Sequence, residues 1–238
     1  SWEYDMRSSV IAWKLGFAQT CIASTKKLTG KSIQAAFPMC YQYWTDKSVL
    51  INMIRTHVFT DNYYSDDKQI KLVKEAMTAL NFGARRSSHS YINHEGIYCK
   101  QALATIFKDS DECDRFLQCP SVADFVNEQK LLNKTIMKLA KANKPDLLSL
   151  PFLLTKKHKL KRQKTLAYLY QNEETRVMNI IRQYAKSSNL TILANIHDAI
   201  IFKKRLTKQA LDAIHLDIHT QTNNSFWHLN QTKLQGTK

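Results

Sequence analysis

The sequence predicts an α+β fold, mostly helical, with helices packed on a small antiparallel sheet. Apolar residues recur at helical spacing along most of the chain. Two short, apolar, β-branched runs meet at a polar pair, His197-Asp198. Only 5 Gly and 4 Pro occur in 238 residues, which argues against an all-β sandwich rich in tight turns. With 44% apolar and 23% charged residues the composition is ordinary for a globular chain. The length suits one or two domains with a real core.

Residues 1–5 read as a strand ending in an acid, Asp5. Residues 8–24 are apolar on one face through Val10, Ile11, Trp13, Leu15, Phe17 and Ala18. Val49, Leu50, Met53, Ile54 and Val58 predict a helix over 46–59, with Asp46 as its N-cap. Asp66-Asp67 start another that runs through Lys74 to about Leu80 and closes at Asn81-Phe82-Gly83. Residues 86–96 read as a polar loop, and helices are expected over 97–108 and 121–143. Pro145 and Pro151 bracket a connector, and residues 156–164 form the densest basic run. A long helix follows over 164–187, then a β-hairpin of 190–196 and 199–202, then a helix over 207–219. The tail after 220 is polar apart from Phe226, Trp227 and Leu229.

Charge narrows the function. Lys and Arg total 35 against 20 Asp and Glu, a net +15. Such a chain seeks a polyanion, with nucleic acid as the default and an acidic protein or anionic lipid as the alternative. No run of about 18 apolar residues spans a membrane, and no signal-peptide pattern opens the chain. Five cysteines in no CxxC fit free thiols in a reducing, intracellular compartment. There is no P-loop, GxGxxG or Ser/His/Asp nucleophile motif. His215 and His219 lie four apart on a helix without a matched third ligand. His89, His94 and Cys99 lack the short spacings of a zinc site. The first residue is not Met, so sequence upstream is expected.

Asp5 and Asp198 each end or join a short strand. An Asp at a strand tip is commonly a turn residue. Two that converge suit divalent metals with oxygen ligands, and two metals roughly 4 Å apart clamp the attacking and leaving oxygens of a phosphoryl transfer. Lys74 and Phe82, eight residues apart on one helix, add a point charge for phosphates and an aromatic for a sugar and base. Gly83 behind them either makes room for a base or simply caps the helix.

Asp5, then Lys74-x7-Phe82-Gly83, then Leu193 to Phe202 with His197-Asp198 at its centre, resembles motifs A, B and C of family A DNA polymerases and the related single-subunit phage-type RNA polymerases. Gln171, 27 residues before Asp198, resembles a further family feature that touches primer or template. The resemblance runs from residue 1 to about 205, and about forty residues carry it. It implies a right-hand architecture: a small palm sheet from 1–24 and 121–238, and helical fingers over 25–120. The thumb and any exonuclease would lie upstream. Asp5, Asp198 and the Met6 backbone carbonyl would bind two Mg²⁺ ions, or Mn²⁺ in their place. His197 would touch the primer terminus, Lys74 the phosphates of the incoming nucleotide, and Phe82 the insertion site.

The basic run, with Lys161, Arg162 and Lys164, would bind template or primer phosphates just before Gln171, or would be a solvated loop or a nuclear-localisation-like patch. Ile70 stands where the family has an Arg, and Lys68 or Lys71 would supply that charge. Val10 stands where DNA polymerases of the family carry a sugar-gating Glu. A branched Val and a Phe without hydroxyl both lean toward deoxynucleotides. The implied activity is template-directed nucleotidyl transfer by a DNA polymerase, with primer-template and nucleoside triphosphates as partners, alongside upstream domains or accessory replication proteins. A viral or mobile-element source, in host cell or organelle, suits the divergence of the motifs. The alternatives are a non-catalytic nucleic-acid-binding module or polymerase remnant, and, further off, an RNA polymerase or a reverse transcriptase.

Overall fold

Strand β1 (Trp2–Met6) alternates in burial, hiding Tyr4 and Met6 and leaving Trp2, Glu3 and Asp5 half-buried. The computed structural model describes residues 1–60, 63–196 and 198–234. After β1 come α1 (Ser9–Leu15), α2 (Ala18–Ser24), α3 (Ile33–Ala36), α4 (Pro38–Thr45), α5 (Lys47–Val58) and α6 (Asp66–Asn81). A hairpin of β2 (Tyr91–Ile92) and β3 (Tyr98–Cys99) precedes α7 (Ala102–Phe107), α8 (Ser110–Gln118) and α9 (Pro120–Asn143). Two 3₁₀ turns, Pro145–Ser149 and Pro151–Leu153, replace the expected plain connector. The remaining elements are α10 (Arg162–Ser187), β4 (Ile192–Ile196), β5 (Ala199–Phe202), α11 (Lys208–Thr222) and β6 (Leu229–Lys233).

The fold class is α+β, 61% helical with a small antiparallel sheet. Asp46 caps α5 as expected, its carboxylate accepting from the Val49 amide. The expected loop at 86–96 contains β2 instead. The expected helix over 97–108 starts only at Ala102, because Tyr98-Cys99 pairs with Tyr91-Ile92. Helix α8 was not anticipated. Its signal is Asp109, whose side chain accepts from the Asp111 and Glu112 amides at 2.7 and 3.3 Å.

The chain divides into two compact units, Ser1–Thr20 with Ile136–Lys238, and Cys21–Thr135. The first holds the four-stranded sheet, in the order β4-β5-β1-β6. β1 pairs antiparallel with β5 on one side and β6 on the other. β6 lies in the tail expected to be merely polar, where only Leu229 of its five residues is buried. Its backbone, not its hydropathy, completes the sheet. Tyr4, Met6, Ile200, Phe202, Ile214, Ile218 and Trp227 build the core of this unit. The Tyr4 hydroxyl accepts from the Leu206 amide at 2.8 Å and donates to Gln231 Oε1 at 3.2 Å. At the end of α1 position 16 needs glycine, because a Cβ there would meet Asn224 Nδ2 at 2.4 Å. That amide nitrogen donates to the Ala12 carbonyl.

The second unit is helical. Phe37, Tyr43, Leu50, Ile54, Val73, Met77, Phe107, Phe116 and Phe125 fill its core. Glu128, itself buried, takes the Met39 and Cys40 amides at the start of α4, at 3.0 and 2.8 Å. This satisfies two donors that a helix N-terminus otherwise leaves open.

Candidate functional site

β1 and β5 bring Asp5 and Asp198 to one end of the sheet. Asp5 stands opposite Ala199 in the last pair of the ladder, and Asp198 lies just beyond it in the turn, where its carbonyl accepts from the Met6 amide at 3.0 Å. Both aspartates are half-buried. Asp5 is flanked on its other side by Asn230 of β6. The strand pairing that the aspartate argument required is therefore present, with β1 as a central strand. His197 lies outside the described residues.

The turn from β1 into α1 adds a third group. The Arg7 amide donates to the His228 carbonyl at 2.8 Å, and Arg7 Nε donates to Asn230 Oδ1 at 2.9 Å. Ser8 takes the left-handed conformation, φ 45, which is uncommon outside glycine. Its carbonyl accepts from the Ile11 and Ala12 amides and starts α1. This sharp entry places Ser9 Oγ to donate to Asp198 Oδ2 at 3.1 Å.

Ser9 is in turn tied to α10. The Tyr170 hydroxyl, with its one hydrogen, lies 2.8 Å from Ser9 Oγ and 2.7 Å from Glu174 Oε1. Burial pushes the Tyr170 phenol far above its ordinary range. The bond to Ser9 opposes that rise, while Glu174 and the charge of Asp198 add to it. Tyr170 thus stays a hydroxyl, and its ring packs 5.8 Å from Trp13 of α1. Nothing in the local sequence links Ser9 or Tyr170 to Asp198. Only the antiparallel ladder, with α10 packed on α1, makes them neighbours of Asp198.

The other expected residues fall in three places. Met6 is buried, and so is Val10, with 8% of its surface accessible. Gln171, Arg162 and Lys164 are exposed along the first half of α10, and Lys161 precedes it half-buried. Lys74, Phe82 and Gly83 lie together on α6 and its end, in the second unit. Lys74 is exposed and Phe82 is 56% exposed. Gly83, φ 83, forms a Schellman cap: its amide donates to the Leu80 carbonyl at 3.0 Å and that of Ala84 to Ala79 at 2.9 Å. The helix end alone accounts for this glycine.

The basic run is a built turn. Leu154 and Leu160 bridge, the Thr155 amide donates to the Lys159 carbonyl at 2.8 Å, and Thr155 Oγ1 accepts from the Lys157 and Lys159 amides. Lys156, Lys157 and Lys159 are exposed on it. It delivers positive charge to the N-terminus of α10, whose first turn carries no acid. A helix N-terminus is already the positive end of its dipole, so the arrangement favours anions.

His215 and His219 gain a third imidazole, His228, at ring separations of 4.9 and 5.2 Å. His215 Nε2 accepts from the Leu229 amide at 3.0 Å, and His219 Nε2 pairs with the Trp227 carbonyl at 2.8 Å. Among the described residues, no group of three or more His, Cys, Asp or Glu side chains is arranged to hold a metal ion. Asp5 and Asp198 are two. All five cysteines are free, and burial pushes the Cys113 thiol up to about 11. Among the described residues no helix is long and apolar enough to cross a membrane. No family model, curated protein or solved structure matches the chain.

Proposed function

We propose that the chain is a template-directed nucleotidyltransferase, a DNA polymerase of right-hand architecture. The observation that carries this reading is the setting of Asp5 at the end of β1 beside Asp198 in the turn that enters the adjacent strand β5, with Asp198 held by Ser9. Two carboxylates at the end of a sheet, one of them braced by a hydroxyl chain from Ser9 and Tyr170, exceed what a strand turn needs. The donor set is hard oxygen throughout, which suits Mg²⁺ or Mn²⁺. Asp5 and Asp198, with the Met6 carbonyl, would hold two such ions, which would supply charge neutralisation at the attacking and leaving oxygens.

The remaining work belongs to the chain's own residues. The primer 3′-oxygen attacks the α-phosphorus and loses its proton to solvent. The bond to the β-phosphate oxygen breaks, and pyrophosphate leaves. Positioning supplies most of the rate. Lys74 would neutralise triphosphate charge, Phe82 would stack at the insertion site with Gly83 behind it, and His197 would meet the primer terminus. Val10 and the absence of a hydroxyl on Phe82 would favour deoxynucleotides. Lys161, Arg162, Lys164 and Gln171 would hold primer-template. A non-catalytic nucleic-acid-binding module is the second reading, favoured by the basic turn ahead of α10, which needs no chemistry.

Asp198→Asn separates the two readings. It should abolish nucleotide incorporation while primer-template affinity stays within about twofold of wild type. Retained incorporation by a folded Asp198→Asn protein would refute the assignment of the site.

A further inference from the structure

Nine residues past Phe82, in the second unit, the chain enters the hairpin of β2 and β3. These strands pair only with each other, Tyr91 opposite Cys99 and Ile92 opposite Tyr98. The hairpin is well fixed. Asn93 Oδ1 accepts from the Glu95 amide at 3.0 Å and the Ile97 amide at 2.9 Å, and Gly96 takes φ 76 at the tip. At the base, the Gln101 amide donates to Ser90 Oγ at 3.0 Å.

Its side chains do not suit water. Ile92 is 68% exposed, Tyr98 65%, Ile97 56% and Tyr91 41%. Residues directly opposite share a face, so Ile92 and Tyr98 form one apolar surface. Two-stranded hairpins are marginal in water without something packed on them, and grouped exposed apolar side chains mark an interaction surface.

The charge around it says which partner fits. Arg85, Arg86 and Lys100 flank the hairpin, against a single acid, Glu95. The Arg85 guanidinium lies 5.5 Å from the Tyr91 ring centre and donates to the Tyr91 hydroxyl at 2.7 Å. Exposed aromatic faces, a flat guanidinium on one of them and excess positive charge are the elements that stack unpaired bases and track their phosphates. A second copy of this chain would bring a like-charged hairpin against this one.

We propose that the β2–β3 hairpin binds single-stranded nucleic acid on both of its faces, with bases stacked on Tyr98 beside Ile92 on one face and on Tyr91 on the other, and phosphates met by Arg85, Arg86 and Lys100. The inference rests on the reading that the chain handles nucleic acid, and it extends that reading to an unpaired strand held outside the carboxylate site.

The test is fluorescence anisotropy with labelled single-stranded DNA and RNA of one mixed sequence, and a blunt duplex for comparison. No nucleotide or metal is needed. Tyr98→Ala and Tyr91→Ala should each weaken single-strand binding about tenfold. Duplex binding should change less than twofold, and Tyr98→Phe, which keeps the ring, should bind as wild type. Unchanged melting of the variants checks the fold. Wild-type affinity for the single strand in both alanine variants would overturn the inference while leaving the polymerase reading intact. Failure of wild type to bind any of the probes would overturn both. Sedimentation that shows wild-type self-association abolished in Tyr98→Ala would give the surface to a second copy instead.

Discussion

Asp198 is held through a hydroxyl chain in which two hydrogens serve three contacts: Asp198 with Ser9, Ser9 with Tyr170, and Tyr170 with Glu174. Groups that orient a metal-binding carboxylate are commonly worth 10–100-fold in affinity or activity. Tyr170→Phe removes one hydroxyl and keeps the ring against Trp13. It should lower kcat about tenfold with nucleotide KM unchanged, measured by steady-state incorporation. A rise in KM at constant kcat would show that Tyr170 serves substrate binding and not Asp198. Asp198 was legible in the sequence because an acid between two apolar β-branched runs is a local pattern. Ser9 and Tyr170 were not. They are 161 residues apart and meet only through packing.

Elements followed local signals where they had them. α5 was announced by Asp46, and α6 by its paired acids and by Gly83. β6 had no such signal: Leu229 is its single buried residue, and its place beside β1 is fixed by backbone pairing across more than 220 positions. The β2–β3 hairpin was hidden in the same way, because its tip residues Asn93 to Gly96 read as loop. The entry to β6 also carries a pH dependence. His215 accepts the Leu229 amide, and its pKa is pushed down to about 4, first by burial, then by His228 and His219, with Arg7 adding and Asp212 opposing.

A histidine held below its ordinary 6.5 stabilises the folded state fully above that value. The contribution is lost as pH falls through 6.5 toward 4. Protonation would also replace the lone pair that Leu229 uses. Between pH 7.5 and 4.5, wild type should lose about 2 kcal/mol more unfolding free energy than His215→Gln, discounted for partial exposure. Denaturant titrations at both pH values measure this. Equal losses would show that His215 does not couple to folding.

Across the molecule, the +15 charge includes two groups set where they can act: on the turn before α10 and beside the β2–β3 hairpin. Each phosphate neutralised on duplex DNA adds about 0.9 to the steepness of log K against log salt. Replacing Lys156, Lys157 and Lys159 together with Ala should lower that steepness by about 2 to 3 for a primer-template duplex. An unchanged slope would remove the turn from the interface. Composition made this charge legible at once. It did not reveal that the basic run is a braced turn aimed by Thr155, which depends on the Leu154–Leu160 bridge.

Catalysis at Asp5 and Asp198 is best examined by primer extension with Mg²⁺. Wild type and Asp198→Asn would be compared on DNA and RNA templates, with deoxynucleotides and ribonucleotides in separate reactions and binding measured alongside. Extension is expected from wild type only, strongest with deoxynucleotides on DNA. Tight, salt-sensitive binding by both proteins with no extension by either would contradict catalysis at this site and leave a nucleic-acid-binding module.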